Sequence, residues 1–382
     1  MSGTATVNKI IYGGWGLAHH EGHTLFLPYT APGDVVRFSV TKKRKNCLYG
    51  RVEEILEPSP IRVQPDCPVF GLCGGCHLLH ISYDDEIEAK MSFVLESLER
   101  IGKIRTKLTS VIRSPDRFAY RNHAVYKVDA GGNTGFTMPE SRTVVPFPEA
   151  GCLLLPAAMR DAIASQPKGH VPGGGEVRVR IDRHGTVHFW GLRDAVGPPE
   201  VLMEARELLF PIHPDAFFQV NRLLNDRLLE LVVSLPAKVR RSLVDLYCGT
   251  GFFTLGLASI YMEGLGIERN RAAVRNAAAA ARLNKISHVR FKRDRIESAI
   301  GRIRETDIIV ADPPRAGLTD VVLRGITRLR PKELILVSCD PPTLSRDVAK
   351  LIDTGFILAG LHLVDLFPGT YHVETVTLLR RT

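Results

Sequence analysis

Between Val7 and Leu56 short apolar runs alternate with polar residues and are broken by glycine and proline, as in Asn8-Lys-Ile-Ile-Tyr-Gly-Gly, His23-Thr-Leu-Phe-Leu-Pro and Gly33-Asp-Val-Val-Arg-Phe-Ser-Val. Strands at that spacing predict a small β-barrel, with Lys42-Lys43-Arg44-Lys45 at a hairpin tip. From Asp84 to Gly102 the period changes, and Ile87, Met91, Val94, Leu95 and Leu98 share one face of a helix. Strand-like runs follow at Ala124–Val128 and Glu176–Ile181, with a Gly/Pro-rich break at His170–Gly175. Beyond Leu208, strands are predicted at Ser242–Tyr247, Gly264–Glu268, His288–Lys292, Asp307–Ala311 and Glu333–Ser338, with helices at Phe252–Tyr261 and Asn270–Leu283 between the first of them. Two last strands, near Phe356–Asp365 and His372–Leu379, are joined by a short link and are expected to be antiparallel.

Repeated β-α units imply an α/β fold with a mostly parallel, doubly wound sheet. The closing hairpin suits a seven-stranded methyltransferase sheet better than a plain dinucleotide fold. The expected division is an OB-like barrel over 1–62, a central α+β domain over 63–206 and the doubly wound domain over 207–382.

Composition narrows the function. The 382 residues are 45% hydrophobic and 24% charged, which excludes a disordered or collagen-like chain. Neither a stretch near the ~20 apolar residues of a membrane helix nor a secretory h-region in Met1–Lys9 is present, so a cytoplasmic location is expected. The net charge of +9 favours a polyanionic partner. Trp15 and Tyr49, beside the basic tip, are candidates for stacking on bases as well as for ordinary packing.

Three motifs carry chemistry. Asp245-Leu-Tyr-Cys-Gly249-Thr-Gly251-Phe252 sits where a strand turns into a helix, and its glycines allow backbone close to a ligand. Glu268 ends the next strand, 17 residues after Gly251, where a carboxylate accepts from ribose hydroxyls; Asp294, after the third strand, could take an adenine amino group. The full G-x-G-x-x-G is missing, so S-adenosylmethionine, which has ribose without phosphate, fits better than a dinucleotide. Ile308-Ile-Val-Ala-Asp312-Pro-Pro-Arg315 holds Asp312 forward on a proline-fixed turn, and Arg315, in place of an aromatic residue, argues against exocyclic amine chemistry. Leu334-Ile-Leu-Val-Ser-Cys339-Asp-Pro-Pro places a thiol at a strand end on the same edge. A thiolate adding to carbon 6 of uracil makes carbon 5 nucleophilic enough to take a methyl group. Positive charge or backbone N–H groups are expected to lower the thiol's pKa. A base must then remove the proton on carbon 5, and Glu374 is the candidate.

Of the seven cysteines, Cys67, Cys73 and Cys76 are clustered and Cys152 is the remaining candidate for a fourth ligand. Four thiolates hold zinc or an iron–sulfur cluster. Three close and one distant suit [4Fe–4S] better, while spacing leaves zinc open. Cys47 and Cys248 receive no role.

Together these motifs resemble the S-adenosylmethionine-dependent RNA uracil-5-methyltransferases, in particular their bacterial iron–sulfur ribosomal RNA members. Tyr12-Gly-Gly-Trp-Gly-Leu-Ala and Ala31-Pro-Gly-Asp look like a TRAM domain; Ser59-Pro-Ile-Arg and Pro65-Asp-Cys67 to Cys76 look like the entry to the cluster domain; Tyr120-Arg-Asn, Gly135-Phe and Cys152 resemble the central sheet and fourth ligand. Phe217-Phe-Gln219-Val-Asn221 is similar to a family segment whose glutamine lies at cofactor and base. The resemblance implies Cys339 as nucleophile, Glu374 as base, and Gln219, Tyr247, Glu268 and Asp312 around cofactor and target base. Phe252 and Asp340 depart from the Asn often found there. The partner implied is RNA, ribosomal or transfer, with no membrane, and the chain is expected to act as a monomer. Rival readings are cytosine-5 methylation and a non-catalytic RNA-binding assembly factor.

Overall fold

The computed structural model describes residues 2–166, 171, 175–192, 197–236 and 240–381; positions 170 and 172–174 of the expected Gly/Pro-rich break lie outside the described residues. The N-terminal alternation folds as β1 (Ser2–Thr6), β2 (Lys9–Ile11), β3 (Trp15–His20), β4 (His23–Pro28), β5 (Val35–Arg44) and β6 (Cys47–Glu57), paired in the order β1-β5-β6-β4-β3-β2. Successive side chains on a strand point to opposite faces. The inward set, including Leu25, Leu27, Val36, Phe38 and Leu48, makes the core. Lys42 to Lys45 are exposed at the β5–β6 tip, with Lys45 at φ 49°. Buried Asp34 takes N–H bonds from Ala31 and Ser59 at 2.6 and 2.8 Å and a guanidinium bond from Arg62 at 2.8 Å, tying this unit to the next segment.

The amphipathic run becomes α1 (Tyr83–Arg100), capped by Ser82, whose hydroxyl accepts from the Asp85 N–H. Then comes the short β7 (Ser110–Ile112). The central sheet has β8 (His123–Val128), β9 (Thr134–Thr137), β10 (Val144–Pro146), β11 (Glu176–Ile181) and β12 (Val187–Trp190), all antiparallel in the order β10-β9-β8-β11-β12. Between β10 and β11, α2 (Ala157–Ala164) buries Met159 and Ile163 against Tyr126, Val177 and Val179. The hairpin β13 (Val201–Ala205) and β14 (Leu208–Ile212) and helix α3 (Asn225–Ser234) lead into the last region.

That region alternates as β15 (Arg240–Leu246), α4 (Phe252–Gly256), β16 (Tyr261–Glu268), α5 (Arg271–Leu283), β17 (Val289–Arg293), α6 (Ile296–Ala299), β18 (Ile308–Ala311), α7 (Asp320–Leu329), β19 (Glu333–Ser338), α8 (Pro341–Ile352), β20 (Phe356–Val364) and β21 (Glu374–Arg381). The sheet order is β17-β16-β15-β18-β19-β21-β20-β7, with β21 antiparallel to both neighbours. The C-terminal region supplies seven strands, but the sheet has eight: β7, far upstream, adds itself parallel to β20 through His362↔Ser110 to Val364↔Ile112. The central strands are apolar on both faces, as a doubly covered parallel sheet requires: Val244, Leu246, Ile309 and Ala311 face one core, Leu243, Ile308 and Val310 the other.

Candidate active site

Strand order reverses between β15 and β18, and ligands in such sheets bind beyond the carboxyl ends of the strands at that point. After β15 the chain turns sharply. Tyr247, Gly249 and Gly251 have φ of 66, 53 and 83°, and a side chain at Gly249 would meet nothing within 4 Å, so the turn leaves open space there. Glu268, at the end of β16, reaches across: its carboxylate accepts from the Asn270 N–H at 2.6 Å and the Gly249 N–H at 3.4 Å. Asp294 N–H in turn donates to the Glu268 carbonyl at 3.0 Å. The Gly turn, Glu268 and Asp294 are therefore brought together at one edge. The Asp294 carboxylate, however, is bound by Lys292 at 3.1 Å and by Arg302, and these contacts hold it below the usual carboxylate range. Behind the turn, buried Asp245 accepts from the Thr254 hydroxyl at 2.5 Å, and burial pushes it up to about 7.

Phe252 corrects the expectation. Its ring is buried, within 5.2–5.8 Å of the rings of Phe210, Phe218 and Phe253, so its side chain belongs to the core and not to the ligand space. A polar residue there would lose that aromatic packing. Trp15 and Tyr49 pack edge to face at 5.8 Å, and both are half-buried.

The thiol and the candidate base meet by strand register. The ladder of β19 and β21 ends with Ser338 opposite Thr375, and the residues next to that pair, Cys339 and Glu374, lie close enough for the carboxyl to act on the thiol. Glu374 is buried with one carboxyl oxygen lacking any hydrogen-bond partner. Burial, then the neighbouring Asp312, pushes it well above the ordinary glutamate range, and burial pushes Asp312 itself up to about 7. The expected lowering of the thiol is not what the chain's own groups produce. Burial and the carboxyls of Glu374 and Asp312 push Cys339 up to about 12, with Arg315 acting in the opposite direction.

Gln219 is buried in the loop before α3, and its carbonyl accepts from Asn122 Nδ2 at 2.7 Å. Two residues on, Asn221 Nδ2 donates to the Leu366 carbonyl at 3.2 Å, fastening this loop just beyond β20, whose end pairs with Glu374. The site thus draws on the central sheet as well as the C-terminal one.

Cys67, Cys73, Cys76 and Cys152 line a single cavity of about 70 Å³ with Arg121, Phe136 and Phe147. The loop reaches the central sheet through the Gly74 N–H bond to the Thr137 carbonyl at 3.0 Å. Among the described residues no three or more His, Cys, Asp or Glu side chains converge tightly enough for a single metal ion. Gly369, five residues before Glu374, accepts at its carbonyl from the N–H groups of His77 and Leu78 at 2.8 and 3.0 Å. The cysteine loop therefore clasps the segment that carries the candidate base.

A buried ionic group missed by sequence reasoning holds that same segment. Lys90 of α1 donates to Glu86 at 2.7 Å, Asp365 at 2.6 Å and the Phe367 carbonyl at 3.1 Å, Arg117 binds Glu86 at 2.7 Å, and Tyr83 donates to Asp365 at 2.8 Å. The i,i+4 spacing of Glu86 and Lys90 was readable, but Asp365 lies 275 residues away. Asp340 was also missed as a structural residue. It caps α8 by accepting from Thr343 N–H at 2.9 Å, and the prolines that follow it at the first helical positions were the available signal.

Comparison with known proteins agrees with this arrangement. The profile of a family described as tRNA (uracil-5-)-methyltransferase matches residues 198–382, and that of the TRAM domain of tRNA (uracil(54)-C(5))-methyltransferase matches 4–61. An RNA methyltransferase of Leptospira interrogans is 31% identical over 95% of this chain and 91% of its own length; one from Aquifex aeolicus is 29% identical over 98% and 97%. The fold is that of the Pyrococcus abyssi tRNA (uracil-54, C5)-methyltransferase crystallised with S-adenosyl-L-homocysteine, at a TM-score of 0.77 and 23% identity over 99% of this chain and 100% of that one. No helix among the described residues is long and apolar enough to cross a membrane. With a relative above 30% identity along nearly its whole length and both family profiles in their proper order, the chain belongs to the TRAM-bearing RNA uracil-5-methyltransferases.

Proposed function

We propose that the chain moves a methyl group from S-adenosylmethionine to carbon 5 of a uridine in RNA, with Cys339 as nucleophile and Glu374 as base. The observation that supports this most is that Cys339 and Glu374 flank the last pair of the β19–β21 ladder, with Glu374 and Asp312 both acting on the thiol, at the edge where the Gly249–Gly251 turn opens. The open space at Gly249 and the Glu268 carboxylate fit the cofactor's ribose, and Gln219, Tyr247 and Asp312 would bound cofactor and target base, as the family resemblance implies. When bound, the cofactor supplies an electrophilic methyl. Cys339 loses its proton to solvent and bonds to carbon 6 as the thiolate, carbon 5 takes the methyl and leaves S-adenosylhomocysteine, and Glu374 removes the proton from carbon 5. The sulfur–carbon bond then breaks and returns the thiolate. The target base must leave its stack to reach this edge.

We assign 1–62 to RNA binding, 63–206 to the cysteine site and to a wall of the active site, and 207–382 to methyl transfer. Cys67, Cys73, Cys76 and Cys152 would hold a [4Fe–4S] cluster: the four line one cavity, and three ligands close in sequence with one distant suit that group better than zinc. Such a cluster would pin the Gly369 segment in place; the methyl transfer itself needs no electron. Ribosomal RNA is the acceptor implied by the resemblance to the iron–sulfur ribosomal RNA members. Transfer RNA is the second reading, favoured by the descriptions of both matched profiles. Nucleoside mass analysis of ribosomal and transfer RNA from a strain lacking the gene tests both. Loss of 5-methyluridine from one RNA is expected, and loss of 5-methylcytidine, or of neither, would overturn the assignment.

A further inference from the structure

The segments carrying Cys339 and Glu374 meet a residue of the N-terminal barrel. Tyr12, in the turn between β2 and β3, donates its hydroxyl to Asp340 Oδ2 at 3.1 Å and lies 3.4 Å from the Cys339 carbonyl oxygen. Its ring packs edge to face on Tyr371 at 5.6 Å, three residues before Glu374, and on Phe93 of α1 at 6.1 Å. The two oxygens of Asp340 are therefore divided: one takes the Thr343 N–H and starts α8, and the other takes the Tyr12 hydroxyl.

We propose that Tyr12 is a positioning residue for the nucleophile, through which the RNA-binding barrel sets the Cys339 loop. The inference rests on the function proposed above and adds to it a part that the methyl-transfer region lacks by itself. The physical reason is local. A carboxylate left with one unpaired oxygen next to a thiol repels the thiolate and is free to swing. The tyrosine hydroxyl counters both: its proton satisfies the second Asp340 oxygen and holds that side chain in place beside the Cys339 loop. The charged and titratable groups facing that thiol are Glu374 from β21, Asp312 and Arg315 from the turn after β18, and Asp340 from its own loop. Tyr12 is the group that the barrel adds to this set.

Tyr12→Phe removes the hydroxyl and keeps both ring contacts, so the fold is expected to survive, which thermal melting checks. At saturating RNA and cofactor, the rate of covalent adduct formation with 5-fluorouridine RNA should fall about tenfold, the effect of one hydrogen bond to a charged group. RNA affinity should stay within about twofold. The pH profile for alkylation of Cys339 should move to higher pH, a change that a purely structural role would not produce. The double variant Tyr12→Phe/Asp340→Asn should show little further loss over Asp340→Asn alone. Wild-type adduct rate and an unshifted profile in Tyr12→Phe would overturn the inference and leave the proposed function standing. Failure of the wild-type chain to form any adduct would remove both.

Discussion

Cys339 and Glu374 flank the last pair of the β19–β21 ladder but are poorly ionised for their tasks in the chain alone. The thiol stands at about 12, Asp312 at about 7, and Glu374 well above its ordinary range, all chiefly through burial. Each of these groups acts in its deprotonated form or beside one that does, and each has been shifted so that deprotonation needs higher pH. Because the Cys339 thiolate and the Glu374 carboxylate are the acting forms and both groups are shifted up, the single-turnover methylation rate is expected to climb with pH between about 6 and 8; a rate that falls there would contradict the assignment. Glu374→Gln keeps the shape and removes the base. Methyl transfer to carbon 5 should still occur while elimination slows at least ~100-fold, so that a methylated RNA–protein adduct accumulates on denaturing gels. Normal turnover by that variant would move the proton to another group. At this scale the sequence was informative where a residue's chemistry is carried by its strand end: Cys339, Asp312 and Glu268 all stand at the edge their motifs implied. It misled where environment decides. Phe252 follows the glycine turn directly, yet the Phe210 and Phe218 rings draw its side chain into the core.

Among the elements, the β-α units from Arg240 onward were legible because the central strands β18 and β19 are almost wholly apolar runs and Asn270 announced α5 by accepting from the N–H groups of Ala272 and Ala273. The eighth strand was not. β7 is only Ser110–Ile112, too short to carry a period, and its place in the sheet is set by partners about 250 residues later. The same applies to α1, whose amphipathic face was evident but whose buried lysine was not. Burial alone would lower the Lys90 ammonium, but Asp365 and Glu86 hold it up. Lys90→Met would remove the cation those two carboxylates share and leave Asp365 without an ammonium partner, while Glu86 keeps Arg117. A loss of about 3–5 kcal/mol is expected, read as a large fall in urea midpoint together with reduced methylation, because Asp365 and Phe367 lead toward Glu374. A midpoint within 0.5 kcal/mol of wild type, on the scale of an ordinary surface change, would show that the network is not needed to hold that segment.

For the molecule as a whole, two sheets and a loop are tied to the C-terminal sheet: the barrel through Tyr12, the central sheet through Asn122 and Gln219, and the cysteine loop through Gly369. The division into barrel, central and methyl-transfer regions followed from changes of period along the chain. The ties between them did not, since each joins residues far apart in sequence. The basic tip belongs to this scale too. Lys42, Lys43, Arg44 and Lys45 are exposed and, if they meet RNA phosphates, their replacement by alanine should weaken RNA binding and flatten the dependence of log affinity on log salt. An unchanged slope would mark the tip as solvated surface only.

The account depends first on a transient bond between the Cys339 sulfur and carbon 6 of a uridine. The direct measurement is to incubate the full chain with S-adenosylmethionine and 5-fluorouridine-substituted RNA and to map the RNA-linked peptide by mass spectrometry. The fluorine blocks proton removal at carbon 5 and so arrests the reaction. A stable complex joined through Cys339 and absent from Cys339→Ala is predicted; a complex that still forms in that variant, or one joined through another residue, would contradict it.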